Sequence, residues 1–121
     1  MMHNFRIAFF GSSLVSSYWN GAATYYRGII RELHRRGARV TFYEPDAYER
    51  QLHRDIDPPE WARVVVYPAD TAGVTRCLEE ARHSDMIVKA SGVGVFDELL
   101  EREVLHAAHG ATLTAFWDVD A

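Results

Sequence analysis

Apolar residues are concentrated in five short runs along the chain, and amphipathic stretches lie between most of them. The runs span residues 5–10, 39–43, 62–67, 85–90 and 111–117, and several are apolar nearly throughout. Continuous runs of this kind are typical of strands that are covered on both faces of a sheet. The pattern therefore predicts five strands of a buried parallel sheet.

Three of the intervening stretches have the spacing of amphipathic helices. In residues 22–36 apolar side chains recur at i, i+3, i+4 and i+7, and Gly37 suits the position just after a helix. A second helix is predicted behind a cap at Asp70 or Thr71, and a third after the sequence SGVGV at 91–95.

Strands that alternate with helices favour right-handed crossovers and a parallel sheet with helices on both faces. We therefore predict an α/β fold in three layers, with a doubly wound five-stranded parallel sheet in the order 3-2-1-4-5. The charged segment 44–60 is expected to be an irregular connection with one short helix. At 121 residues, the whole chain, 1–121, is expected to form one domain.

Composition excludes several classes of protein. The formal net charge of −4 argues against general nucleic-acid binding, and the single cysteine, Cys77, excludes an intramolecular disulfide and a Cys-rich zinc site. No apolar run approaches a signal peptide or a membrane span, so we expect a cytoplasmic location. His106 and His109 are expected to be solvated near a helix end, and Cys77 to be buried and inert. We predict no metal and no bound cofactor.

In a doubly wound sheet, ligands bind beyond the carboxyl ends of the strands, where the strand order reverses. Here that place lies between strands 1 and 4, so the loops concerned are 11–21 and 91–95. The first loop matches neither the dinucleotide nor the Walker fingerprint. Gly21 at the helix start would let a phosphate approach the backbone closely. Alternatively, Gly11 and Gly21 merely permit turns, and Asn20 merely caps the helix.

The long first loop also carries aromatic side chains. Tyr18 and Trp19 would stack on a sugar or base in a cleft wall, or would pack on the neighbouring loop. Glu44 follows the second strand, where dinucleotide enzymes place a ribose-binding acid, but the glycine fingerprint is missing. We therefore expect Glu44 and Asp46 to be turn-forming or solvated. Gly28 is expected to allow close packing of the first helix on the sheet.

Two further groups of polar residues follow strands 4 and 5. Lys89 could neutralise a phosphate, and the amides of residues 92–95 could bind an anion or an acceptor hydroxyl; the alternative is a tight turn with a solvent-reaching lysine. Asp118 and Asp120 share one face at the tip of strand 5, which suits base catalysis or binding of sugar hydroxyls. They could equally bond a following segment.

The segments "RIAFFGSSL" and "YWNGAATYYRGIIRELHRRGARVTFYEPD", within residues 6–46, resemble the amino-terminal domain of GT-B glycosyltransferases. The continuation "DMIVKASGVGVFDELLE" and the ending "FWDVDA" look like the CgeB-like, spore-maturation-related group in particular. The resemblance covers essentially the whole chain, although "L..RG..V" occurs in many Rossmann-like proteins.

The resemblance implies two Rossmann-like domains that face a cleft, of which this chain supplies the acceptor-side one. Its partners would be a nucleotide-sugar donor, a glycosyl acceptor, and a missing carboxyl-terminal domain or another partner that covers strand 5. Without that second domain, this chain should not turn over substrate. Asp118 is the candidate catalytic acid or base. The predicted substrate-binding residues are Gly11, Ser12, Tyr18, Trp19, Asn20, Gly21, Lys89, Ser91, Gly92 and Asp120.

Two alternatives remain at this point. The first is a non-catalytic, flavodoxin-like module that binds a nucleotide or a partner through the end of strand 5. The second is a nicotinamide-dependent enzyme that holds a ribose with Glu44.

Overall fold

Five parallel strands form the centre of the computed structural model, which describes residues 3–18, 20–108 and 112–118. Hydrogen bonding places the strands in the order β3-β2-β1-β4-β5, as predicted. The strands are β1 (Arg6–Phe10), β2 (Arg39–Asp46), β3 (Arg63–Pro68), β4 (Met86–Ala90) and β5 (Leu113–Trp117). The helices are α1 (Ala23–Arg35), α2 (Thr71–Ala81) and α3 (Asp97–Ala107), with a 3-10 turn at Arg50–His53.

The helices cover both faces of the sheet, so the predicted three-layer α/β, Rossmann-like architecture is confirmed. On one face, Tyr26 and Ile30 of α1 pack with Phe9 and Phe42 of the sheet. On the other face, α2 and α3 pack over a cluster that includes Phe10. β1 and β4 are buried along almost their whole length because they lie in the middle of the sheet.

An aromatic cluster joins α1 to the centre and the edge of the sheet. The Phe9 ring stacks on Phe42 with centroids 5.3 Å apart, and the Trp117 ring lies 5.8 Å from Phe9 and 5.4 Å from Tyr26. Gly11 follows β1 beside this cluster. A Cβ on Gly11 would come within 2.5 Å of the Phe42 ring, so the close approach requires glycine.

Several local expectations can be compared with the structure. Asp70 caps α2, because its side chain accepts a 2.7 Å hydrogen bond from the Gly73 amide. Cys77 is buried as expected, and burial raises the pKa of its thiol to about 11. The packing role of Gly28 was wrong: Gly28 is exposed, and an added Cβ would meet nothing within 4 Å.

The connection after the second strand is more regular than the sequence suggested. β2 continues to Asp46, three residues beyond the predicted end, because Glu44 and Pro45 are buried and pair with β3. Tyr48 and Glu49 then turn the chain with φ values of 55° and 58° before the 3-10 turn. Among the helices of the described residues, none is long and apolar enough to cross a membrane.

Candidate functional site

The carboxyl edge of the sheet, where the strands end, brings together the β1–α1 loop, the segment after β2, the β4–α3 loop and the end of β5. The strand order reverses between β1 and β4, so ligands of this fold class bind in this region. The contacts of each segment decide which side chains remain available to a ligand.

The β1–α1 loop is held by its own polar side chains. The Ser12 hydroxyl donates a 2.6 Å hydrogen bond to Asn20 Oδ1, and Asn20 Nδ2 donates to the carbonyls of Ser13 and Ser16 at 2.9 and 2.8 Å. All four residues are buried. Ala22, rather than Asn20, occupies the N-cap position of α1. Ser12 and Asn20 therefore contact the loop itself.

Glu44 fastens the β1–α1 loop to β2. Its carboxylate is fully buried and accepts hydrogen bonds from the Ser13 hydroxyl at 2.5 Å, the Leu14 amide at 3.0 Å and Gln51 Nε2 at 2.6 Å. The expectation that Glu44 forms a turn or is solvated was therefore wrong. The three donors compensate for the loss of water around a buried carboxylate, which explains its placement.

The segment that follows the 3-10 turn covers the outside of the same loop. The amides of Asp55 and Ile56 donate to the Val15 carbonyl at 2.9 and 3.3 Å, and Arg27 of α1 forms an ion pair with Asp55 at 2.8 Å. Hydrogen bonds from Arg27 above all hold the pKa of Asp55 at about 2. As a result, Leu14 and Val15 are fully buried.

The start of α1 is the part of the first loop that faces solvent. Gly21 is exposed, and an added Cβ would meet nothing within 4 Å. Ala22 makes no side-chain cap, and the first turn contains no acidic residue. The positive end of the helix dipole is therefore open at Gly21, as an anion site requires.

The β4–α3 loop is organised around Asp97. The carboxylate of Asp97 accepts hydrogen bonds from the Lys89 ammonium, the Val93 amide at 3.1 Å and the Gly94 amide at 2.9 Å. Burial raises the pKa of Asp97, but these donors outweigh burial and hold the pKa below its ordinary value. Lys89 is only 1% exposed, so the solvent-reaching alternative was wrong. The ammonium group of Lys89 forms an ion pair with Asp97.

Two residues of the segment after β2 clamp the β4–α3 loop from the opposite side. The Tyr48 hydroxyl donates to the Gly94 carbonyl at 2.8 Å. Arg50 is 5% exposed and donates to the Val93 carbonyl at 3.3 Å and the Tyr18 carbonyl at 3.4 Å. Burial lowers the pKa of Arg50. Arg50 therefore connects the two loops at the reversal point, a role that sequence reasoning missed.

Of the two aromatic residues in the first loop, Tyr18 packs against another part of the protein. The Tyr18 ring stacks on His53 with centroids 3.9 Å apart and planes 10° from parallel, which agrees with packing on a neighbouring loop. Tyr18 is half-buried, so its stacking on a ligand stays a prediction. Trp19 lies outside the described residues.

The end of β5 carries an exposed carboxylate, that of Asp118, next to the β4–α3 loop. The Ser91 amide donates to the Trp117 carbonyl at 2.8 Å, and the Ser91 hydroxyl donates to Asp118 Oδ1 at 3.3 Å. Asp118 is exposed and follows Trp117, whose ring packs against Tyr26 in the first half of α1. Gly92 is also exposed, with a φ of 69° that favours glycine. Asp120 lies outside the described residues.

The predicted site residues thus divide into two groups. Gly21, Gly92 and Asp118 are exposed at the carboxyl edge, with Ser91 partly exposed, whereas Gly11, Ser12, Asn20 and Lys89 are buried among the protein's own groups. No cluster of three His, Cys, Asp or Glu side chains suited to a metal occurs within residues 3–18, 20–108 and 112–118. No family model, curated protein or solved structure matches the chain.

Proposed function

We propose that this chain is the acceptor-side domain of a nucleotide-sugar-dependent glycosyltransferase and needs a donor-binding domain for turnover. The observation that carries the proposal is the pairing of two features at the carboxyl edge. The start of α1 is open at Gly21, and the exposed Asp118 directly follows β5, whose last residue, Trp117, packs on Tyr26 of α1. The sequence resemblance to GT-B enzymes supports the same function.

The open helix start suits the donor diphosphate. Main-chain N–H groups and the helix dipole stabilise negative charge there, including the charge that develops on a departing nucleotide diphosphate. Gly21 permits close approach because it has no side chain. This is a role for backbone groups, so it needs no basic residue in the loop.

Asp118 suits the acceptor. A carboxylate within hydrogen-bonding reach of a sugar hydroxyl can orient that hydroxyl and take its proton as the new glycosidic bond forms. The hydrogen bond from Ser91 holds one oxygen of Asp118.

Binding of a dinucleotide is disfavoured by the packing of the first loop. Glu44, which would hold a ribose, already accepts three hydrogen bonds from protein donors. Leu14 and Val15 are fully buried under the segment after β2. A nicotinamide cofactor would have to displace this buried network.

A second candidate function follows from the edge strand. Leu113 and Phe116 of β5 are 58% and 51% exposed, and β5 ends the sheet on that side. Exposed apolar side chains on an edge strand favour contact with a protein partner or a second domain. Such a partner would fit a glycosyltransferase and also a non-catalytic binding module.

Thermal unfolding in the presence of UDP, GDP, UDP-glucose and NAD tests the proposal, because a ligand that binds only the folded state raises its stability. We expect stabilisation by the nucleotide diphosphates and none by NAD. Gly21→Val should reduce this stabilisation. Gly28→Val, at an exposed position within α1 and away from the helix start, is the matched control and should retain it. Equal stabilisation of the Gly21→Val variant would contradict the proposed donor site.

A further inference from the structure

We propose a second anion-binding site, for a small phosphate or diphosphate group, at the amino edge of the sheet, where the strands begin. It lies at the end of the strands opposite the carboxyl edge and does not depend on the proposed function. Its basis is a row of arginines around a cavity. Arg6, Arg39 and Arg63 are the first residues of β1, β2 and β3, which are neighbours in the sheet.

Strand pairing brings these three side chains to one place. Arg6 pairs directly with Arg39, and Arg63 pairs with Thr41, two residues further along β2. Neighbouring strands are about 4.8 Å apart. Arg6 and Arg39 therefore lie side by side, and Arg63 lies on the next strand on the same face of the sheet.

The cavity at this position has a volume of about 380 Å³. That volume falls within the range of about 300–1,000 Å³ that is common for small-molecule sites. The lining residues are Arg6, Ile7, Arg39, Thr41, Tyr43, Arg63, Glu80, His83 and Ser84. A recess of this size suits a small anion better than a folded protein partner.

The local charge balance favours an anion. Among the described residues, Glu80 is the one acidic residue that lines the cavity, and it is held by an ion pair with Arg63 and a 2.8 Å hydrogen bond from the Tyr43 hydroxyl. Within the described part of the chain, Arg6 and Arg39 form no ion pair. The guanidinium groups of Arg6 and Arg39 are therefore available to bind an anionic ligand.

Nearby negative groups accept hydrogen bonds from the chain itself. Asp85 accepts a 2.8 Å hydrogen bond from the Arg6 amide. At the end of α2, the carbonyls of Glu79, Glu80 and Ala81 accept hydrogen bonds from the amides of the next three residues. These last carbonyl oxygens of the helix are thus satisfied by the chain itself.

The chemistry of the exposed groups favours a phosphoryl ligand. A guanidinium group presents a planar fork of N–H donors that matches two oxygens of a phosphate. Two such groups from neighbouring strands can hold a diphosphate at both ends. Arg63 can add a third charge while it keeps its contact with Glu80.

Titration with inorganic pyrophosphate at constant ionic strength, followed by NMR of backbone amides, tests this site. We expect saturable shifts at Thr41, His83 and Ser84. Arg39→Gln should weaken the apparent Kd about tenfold or more, because it removes a charged hydrogen-bonding partner. Arg6→Gln should act similarly. Both arginines are exposed, so the fold should survive either change.

Arg76→Gln is the matched control, because Arg76 is an exposed arginine on α2 that does not line the cavity. It should leave the Kd unchanged. The Gly21→Val variant separates this site from the carboxyl edge and should also bind pyrophosphate normally at Thr41 and His83. Shifts that persist in the Arg39→Gln and Arg6→Gln variants, or that sodium chloride alone reproduces, would overturn the proposal.

Discussion

Glu44 organises the candidate site although no ligand needs to touch it. Its carboxylate binds donors from the β1–α1 loop and from the 3-10 turn, and it is fully buried. A buried polar group of this kind is stabilising only while its partners are complete. The shape of the first loop therefore depends on the charge and both oxygens of one side chain.

Glu44→Gln should destabilise the fold by about 1–3 kcal/mol, because an amide group replaces one acceptor oxygen opposite buried donors. Urea denaturation measures the change in the free energy of unfolding. Asp46→Asn is the matched control on the same strand and should change stability little, since Asp46 is exposed. Equal stability changes in the two variants would show that the buried network contributes nothing.

Single residues were the hardest feature to predict from the sequence. Lys89 was correctly placed near the end of a strand, whereas Glu44 lies inside β2 rather than after it, and the burial of both depends on partners elsewhere in the chain. Ser13 lies 31 residues from Glu44, and Asp97 lies 8 residues from Lys89. A one-dimensional pattern shows which residues are charged and not which donors will surround them.

At the scale of elements, the hydrophobic pattern predicted the strands and helices whose position depends on burial of apolar side chains. Apart from Arg6 and Lys89, β1 and β4 are apolar because both of their faces are covered, and the sequence shows this directly. The turn after β2 could not be read in the same way. Tyr48 and Glu49 adopt left-handed backbone conformations that neither residue type favours. The clamp that Tyr48 and Arg50 form over the β4–α3 loop therefore carried no sequence signal.

The ion pair that ties α1 to the segment after the 3-10 turn should give a specific pH dependence. Arg27 holds the pKa of Asp55 at about 2, below its ordinary value of 3.8. The stabilisation is therefore present above about pH 4 and is lost as the pH falls toward 2. The side chain of Asp55 is 43% exposed, so solvent screening keeps the effect small.

Unfolding of the Asp55→Asn variant measured from pH 5 to pH 2 checks this effect. The variant should be less stable than the unmodified protein at pH 5, and the difference should shrink toward pH 2. Asp57→Asn, which removes an exposed carboxylate nearby, serves as the control. A difference between Asp55→Asn and the unmodified protein that does not change with pH would contradict the ion-pair explanation.

For the whole molecule, the order of the strands determines which distant residues can act together. Gly21 and Asp118 are far apart in the sequence, but β1, β4 and β5 are neighbours, and Trp117 packs on Tyr26 of α1. The sequence predicted this strand order and hence the shared edge. The burial of the β1–α1 loop was not predicted from the sequence and is seen only in the structure. Because this loop is buried, the exposed part of the site consists of the open start of α1 and the end of β5.

Asp118→Asn tests the catalytic role in a protein that contains this domain together with a donor-binding domain. If Asp118 takes the proton of the acceptor hydroxyl, turnover should fall by about 10²–10⁴-fold, while the Kd for the nucleotide diphosphate stays nearly unchanged. Asp46→Asn is the control, because Asp46 is an exposed acid at the same edge of the sheet. Unaltered turnover would assign Asp118 a structural role beside Ser91. A loss of donor affinity without a change in turnover would instead place the donor, rather than the acceptor, against the end of β5.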